Sequence, residues 1–287
     1  MNSIKIIFIV LILNVFNITI SFGQAWTQKK GSIYTQIGSS FIAGTSKYSN
    51  AGSPLDLVRK VTDITLQLYH EHGISDKLTI VGNVPFKLVS TGDEIVALGF
   101  SGDTIPSGSL SGFGNISLSA IYGLQQSGQW VYSLQLRTDL NTAKEKQESG
   151  LRTGVDAWGV APSFHIGYGG NAFWSSFDLG GNFRSNNFST QWFSNLQLGK
   201  NINQKFQIIG QLSALQSFED GNAPDGKAIE TGLYTNNLEY LAFSLKLGYR
   251  ITSNINLWGA LGGGLSGNDV LRAPAYTISL SFKQSKK

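Results

Sequence analysis

The sequence predicts an all-β protein, a transmembrane up-and-down antiparallel β-barrel of about twelve strands, and three patterns predict it. Apolar and polar residues alternate with a period of two through most of the chain. Tight turns and longer connections follow one another in regular succession between these segments. Aromatic residues gather at segment ends, where barrel strands cross the two membrane–water interfaces.

The chain opens on a leader. Lys5 supplies a positive start, and Ile6 to Ile20 is an apolar run broken only by Asn14, Asn17 and Thr19. Ser21-Phe22-Gly23 then puts small residues at the two positions that a signal peptidase reads. Residues 1–23 are therefore expected to be a cleaved signal peptide and 24–287 the barrel domain, with Ala25 a second cleavage point. At about 15 residues, with polar interruptions, the run is short for a spanning helix. No Cys follows it to carry a lipid anchor, and the absence of Cys also removes disulfides and thiolate metal sites. After the leader, no stretch approaches the ~20 apolar residues of a membrane helix.

Charge excludes a nucleic-acid partner. The 22 Lys and Arg against 18 acids suggest a basic protein. Lys5 leaves with the leader, however, and Lys283, Lys286 and Lys287 sit in the tail. The remaining 18 cations balance the 18 acids, so the body offers no phosphate-binding face.

Alternation is clearest where Trp130, Tyr132, Leu134 and Leu136 point one way and Ser133, Gln135, Arg137 and Asp139 the other. Leu241 to Arg250, Trp158 to Tyr168 and Tyr276 to Phe282 repeat it. Strands are expected to start near 32, 59, 77, 113, 129, 157, 172, 190, 204, 238, 254 and 274. Between them the connections run long 44–58, short 73–76, long 91–111, short 125–128, long 141–156, short 169–171, then 185–189. Short 200–203, long 218–237, short 250–253 and 267–273 follow. Periplasmic turns and extracellular loops of a membrane barrel predict this rhythm, which a soluble sandwich has no reason to show.

Aromatics next to the short turns include Tyr122, Trp130, Tyr132, Tyr168, Phe173, Phe206 and Tyr249. Phe41, Trp158, Phe183, Trp192 and Tyr276 lie at the opposite ends. Two interfacial girdles are expected. The last strand closes on Phe282, an aromatic of the kind barrel-assembly machinery reads.

The face opposite the lipid should line the lumen. Its polar members include Asp63, Gln67, Lys87, Arg137, His165, Asp178, Arg184, Gln211, Lys246 and Arg250, which an apolar core would not accept unpaired. Apolar Val131, Trp174, Phe193, Ile209, Leu215 and Trp258 share that face. The lining reads as a mixed passage; the alternative is a salt-bridged plug of Arg137, His165, Asp178 and Lys246 that braces the barrel.

No enzyme signature stands out. Ser163 and His165 share one face and could meet, as a nucleophile and base would. Their place toward the periplasmic end favours an ordinary hydrogen-bonded pair. His70-Glu71-His72 offers two imidazoles on one face but no third metal ligand. Gly262-Gly263-Gly264 lacks phosphate-loop spacing. No catalytic residue, cofactor or metal is expected.

Two stretches carry a resemblance. Asp63 to Phe86, DITLQLYHEHGISDKLTIVGNVPF, resembles a hairpin of outer-membrane proteins grouped as transporters of the MetA pathway of phenol degradation. Gly112 to Gly123, GFGNISLSAIYG, resembles their next strand, with Asn115 where Gly-x-Gly-Asp is usual. The opening Trp26 to Gly31 is similar to that of XagA-like barrels associated with surface polysaccharide production. The resemblance implies the barrel fold and carries no functional residues with it.

The expected role is a passive channel or transporter for small molecules, hydrophobic ones among the candidates, in the outer membrane of a Gram-negative bacterium. The alternatives are a non-transporting barrel in surface polysaccharide or envelope assembly and, behind it, an outer-membrane hydrolase. Outer-membrane lipid, barrel-assembly machinery during insertion and a small-molecule substrate are the expected partners.

Overall fold

A computed structural model of the chain describes residues 25–93, 95–96 and 104–286; the leader lies outside them. Twelve antiparallel strands form one sheet closed on itself. These are β1 (Ile33–Tyr48), β2 (Pro54–Ser75), β3 (Leu78–Thr91), β4 (Gly108–Phe113, then Ser117–Gln125), β5 (Trp130–Asp139) and β6 (Gly159–Gly169). Then come β7 (Trp174–Arg184), β8 (Thr190–Asn201), β9 (Phe206–Glu219), β10 (Glu239–Arg250), β11 (Ile255–Asn268) and β12 (Val270–Arg272, then Ala275–Gln284). Each strand pairs with its sequence neighbours, and β1 closes the ring by pairing with both β2 and β12. Closure leaves no edge strand, the condition for a sheet to sit in lipid.

Five tight turns lie at one end and six connections at the other, as the sequence rhythm predicts. The expected long loop at 44–58 is corrected to the five residues 49–53, because β1 and β2 stay paired through Tyr48 and Pro54. The segment expected at 267–273 likewise narrows: Val270–Arg272 pairs with Ser46–Tyr48. Both strand pairs therefore rise past Phe41 and Tyr276, which face each other outward across β1 and β12.

The period of two sorts the faces. Leu134, Leu136, Leu245, Leu247, Ile278 and Leu280 are exposed outward, whereas Ser133, Gln135, Ser244, Lys246 and Ser279 are buried inside. Around the short-turn end Trp130 packs on Tyr168 at 5.0 Å, Tyr168 on Phe173 at 5.5 Å and Phe206 on Tyr249 at 5.1 Å. Trp158, Phe183 and Tyr276 are exposed at the other level. Inward, large rings are matched with glycine across the ladder. A Cβ on Gly248 would lie 2.4 Å from the Trp258 ring, and one on Gly199 would meet Trp174 still closer. Alternating large and small residues fills a narrow barrel without widening it.

β4 is broken at residues 114–116. Its partner Pro85 has no N–H to continue the ladder, and the Gly114 N–H donates to the Pro85 carbonyl instead. The break turns the Asn115 side chain toward the outer loops.

Candidate functional site

Two outer connections fold into the mouth rather than out to solvent. The β5–β6 loop carries a small hairpin, Glu145–Lys146 against Leu151–Arg152, and the β9–β10 loop a 3-10 turn at Gly226–Glu230. Leu151 and Leu233 join Ile42, Leu57, Val61, Val89 and Leu271 in an apolar cluster at the wall. Burial of those side chains holds both loops down.

Polar contacts then fix them to each other. The Arg152 guanidinium is almost fully buried and donates to Glu145 Oε1, Asp225 Oδ1 and the carbonyls of Pro224, Asp225 and Tyr234. Gly150, at φ +69°, lies so close to the Lys227 carbonyl that no Cβ fits there. Asn115 anchors the first loop to the wall: its Nδ2 donates to Leu140 O at 3.1 Å and Val155 O at 2.8 Å, and its Oδ1 accepts from Val155 N at 2.7 Å. Lys47 donates to Ile229 O at 2.6 Å and sits 3.9 Å from Asp269. Burial raises the Asp225 carboxyl above its ordinary 3.8, although the Asn236 N–H and Arg152 pull the other way. Burial also raises Asp269, which Lys47 opposes.

Beneath these loops the outer half of the barrel holds a cavity of about 300 Å³. Asp63, Gln67, Lys87, Arg137, Asp139 and Arg184 reach it from the strands, with Ile42, Leu215, Val270 and Leu271 between them. Leu233, Tyr234 and Leu238 roof it from the β9–β10 loop and Val155 and Ala157 from the β5–β6 loop. The charges are arranged in pairs. Lys87 Nζ lies 3.0 Å from Asp63 Oδ2, and Arg137 Nε lies 3.1 Å from Asp139 Oδ1. Tyr234, held at φ +55°, donates its hydroxyl to Asp63 Oδ2 at 2.9 Å and turns its ring toward Lys87 Nζ, 5.2 Å from the centroid. Arg137 lies 5.5 Å from the Phe193 ring, and Arg184 donates to the Ser189 and Asn236 carbonyls. Such a space suits a small molecule with apolar bulk and a polar edge.

Toward the short-turn end the lumen narrows. Glu71, His165, Gln197 and Lys246 each stand four residues before their strand's end at Ser75, Gly169, Asn201 and Arg250. All four are buried. Glu71 accepts from Tyr69 at 2.6 Å and from Gln28 at 2.5 Å. Gln28 belongs to the segment before β1, which enters this end of the barrel. Ala25 is fully buried there, and Trp26 meets Trp174 edge-on at 6.1 Å. Thr27 N and Gln28 N donate to Gln126 Oε1 and Thr79 Oγ1.

The residues singled out in sequence thus separate by height. Asp63, Gln67, Arg137 and Arg184 border the cavity. His165, Asp178, Gln211, Lys246 and Trp258 are buried in the narrow part, Trp174 packs beside Trp26, and Phe193 lies by Arg137. Arg250 is exposed at the short-turn rim. The plug of Arg137, His165, Asp178 and Lys246 does not form as one cluster: Arg137 goes to Asp139, Asp178 accepts from Asn195 at 2.6 Å, and Lys246 stands apart. Ser163 Oγ and His165 Nε2 do meet, at 2.8 Å, with Asp178 Oδ1 3.9 Å from Nδ1. His70 and His72 stack 6.5 Å apart, and no group of three metal-ligating side chains occurs among the described residues. Sequence reasoning missed Arg152 and Tyr234, for which alternation gives no signal inside a loop.

A family model described as "Putative MetA-pathway of phenol degradation" matches residues 44–282, far beyond the stretches at 63–86 and 112–123 that carried the resemblance. The likeness of Trp26 to Gly31 to XagA-like barrels has no counterpart in these comparisons. No curated protein matches the chain in sequence. Among solved structures the chain is similar to the COG4313 outer membrane channel from Pseudomonas putida F1, at 16% identity and a TM-score of 0.72 over 92% of this chain and 100% of that one. It is also similar to the NanC porin, at 11% identity and a TM-score of 0.50 over 88% of this chain and 100% of that one. At such identities the likeness establishes the shared outer-membrane barrel fold.

Proposed function

Because the chain belongs to the family described as "Putative MetA-pathway of phenol degradation", we propose that it is a passive outer-membrane channel for small molecules, hydrophobic ones included. The observation that carries this reading is the cavity under the inturned loops, where Ile42, Leu215 and Val270 stand beside the Asp63–Lys87 and Arg137–Asp139 pairs. An apolar solute with one hydroxyl finds there both bulk contact and hydrogen-bond partners. The solved channel from Pseudomonas putida F1 and the family description support the same assignment.

In this reading residues 1–23 direct export and are removed, barrel-assembly machinery inserts the chain, and lipid surrounds the outward leucines and girdles. The lumen lining is the face bearing Asp63, Gln67, Arg137 and Arg184 above and His165, Gln211, Lys246 and Trp258 below. The barrel acts without catalysis in this reading, and the Ser163–His165 pair lies outside the lining of the cavity under the loops. Liposome swelling and planar-bilayer conductance of the refolded protein, with phenol and toluene uptake measured in parallel, test the proposal. A barrel impermeable to ions and to both aromatics would sink it.

A further inference from the structure

Among the described residues, three lumen cations have polar partners in the barrel. Lys87 is held by Asp63, Arg137 by Asp139, and Arg184 by backbone carbonyls. Lys246 is 2% exposed and has neither an ion pair nor a hydrogen bond to any described residue. Its ladder partners are Ile209 on β9 and Ala260 on β11, which offer it nothing polar. Along its own strand the inward neighbours are Ser244 and Gly248, and Ser244 Oγ is likewise buried without a partner.

A buried ammonium beside an unused hydroxyl is costly unless something pairs with it. No carboxylate of the described chain fills that role. The remaining partner is a mobile one, small enough to enter the narrow part of the barrel and negatively charged. A compact monoanion would accept from the ammonium, a charge-assisted hydrogen bond, and from the serine hydroxyl.

We propose that Lys246 and Ser244 form a binding site for a small monovalent anion, of which chloride is the simplest case. The site rests on the channel reading only in that the anion must reach the lumen. Where current flows through the barrel, this group gives it a preference for anions.

The test measures thermal unfolding of the refolded barrel in detergent, in sodium chloride and in sodium gluconate at equal ionic strength. Chloride at about ten times its Kd should raise the unfolding temperature by roughly 3–5 °C over gluconate. Lys246→Met should lose this difference, Lys246→Arg should keep it, and Ser244→Ala should shrink it. Equal unfolding temperatures in both salts for the natural chain would overturn the site, as would a chloride response surviving in Lys246→Met. Reversal potentials in a potassium chloride gradient add a separate reading. Anion preference lost in Lys246→Met supports the site. A chloride-stabilised barrel that passes neither current nor phenol and toluene would overturn the channel reading and leave the site standing.

Discussion

Arg152 and Asp225 lie 73 positions apart, and a 3.0 Å contact from Nη1 to Oδ1 joins them across the outer mouth of the barrel. The guanidinium spends its other donors on Glu145 and on carbonyls of the β9–β10 loop. Two loops that the chain makes separately are thereby one roof.

Arg152→Ala should release that roof. Removing one partner of a buried ion pair costs on the order of 3 kcal/mol, which is about a hundredfold in the opening equilibrium. The barrel itself should survive, because no ladder hydrogen bond is touched. Limited proteolysis of the β5–β6 loop should accelerate by that order while the heat-modifiable gel shift stays. Arg152→Lys should fall between the two, since a lysine keeps the charge and loses the planar fork. Equal cleavage rates for all three proteins would contradict the clasp.

Tyr234 is the part of the roof that touches charge in the lumen. Tyr234→Phe removes the hydroxyl from Asp63 but keeps the ring, at a cost of about 1 kcal/mol. The Asp63–Lys87 pair persists, so solute entry should change little. Tyr234→Gly removes the ring and suits the positive φ without strain, and liposome swelling with small aromatics should quicken. Indistinguishable swelling rates for Tyr234→Gly and the natural chain would show that the ring gates nothing.

The barrel was legible in sequence because closure leaves each strand one wet and one lipid face. That forces a period of two, and it puts tight turns at one end. Heights and loop paths were less legible. The stretch 44–58 is rich in Ser, Gly and Asn, which read as loop, yet β1 and β2 stay paired there and Lys47 is buried against Ile229 O and Asp269. Asp63, Arg137 and Arg184 followed from parity alone. Arg152 and Tyr234 did not, because their inward course is set by partners 73 and 171 positions away. Parity also says which way Lys246 points, but not that it lacks a counter-ion.

Asn115 stands where aspartate is usual in the motif that it occupies, and the structure gives the difference a consequence. The amide donates to the Leu140 and Val155 carbonyls while accepting from Val155 N. A carboxylate could keep the last contact only. Asn115→Asp should therefore lose about 2 kcal/mol through unsatisfied carbonyls facing a charge. The readouts are a lower unfolding temperature in detergent and faster cleavage near Gly154. An unchanged unfolding temperature would mean that the loop is tethered elsewhere.

The clasp should also respond to pH in a direction opposite to that of an ordinary salt bridge. Burial raises the Asp225 carboxyl above 3.8 despite the Asn236 N–H and Arg152. A carboxyl raised on folding binds its proton more readily in the closed loop than in the open one. Its contribution is then complete below the unfolded value and is lost as pH rises through the folded one. Hydrogen exchange of the β9–β10 loop, corrected for intrinsic rate, should show more protection near pH 4 than near pH 7. Asp225→Asn should flatten that dependence, isolating it from the similarly raised Asp269. Protection that instead grows steadily from pH 4 to 7 in the natural chain would mean that the Arg152 attraction outweighs burial at this site.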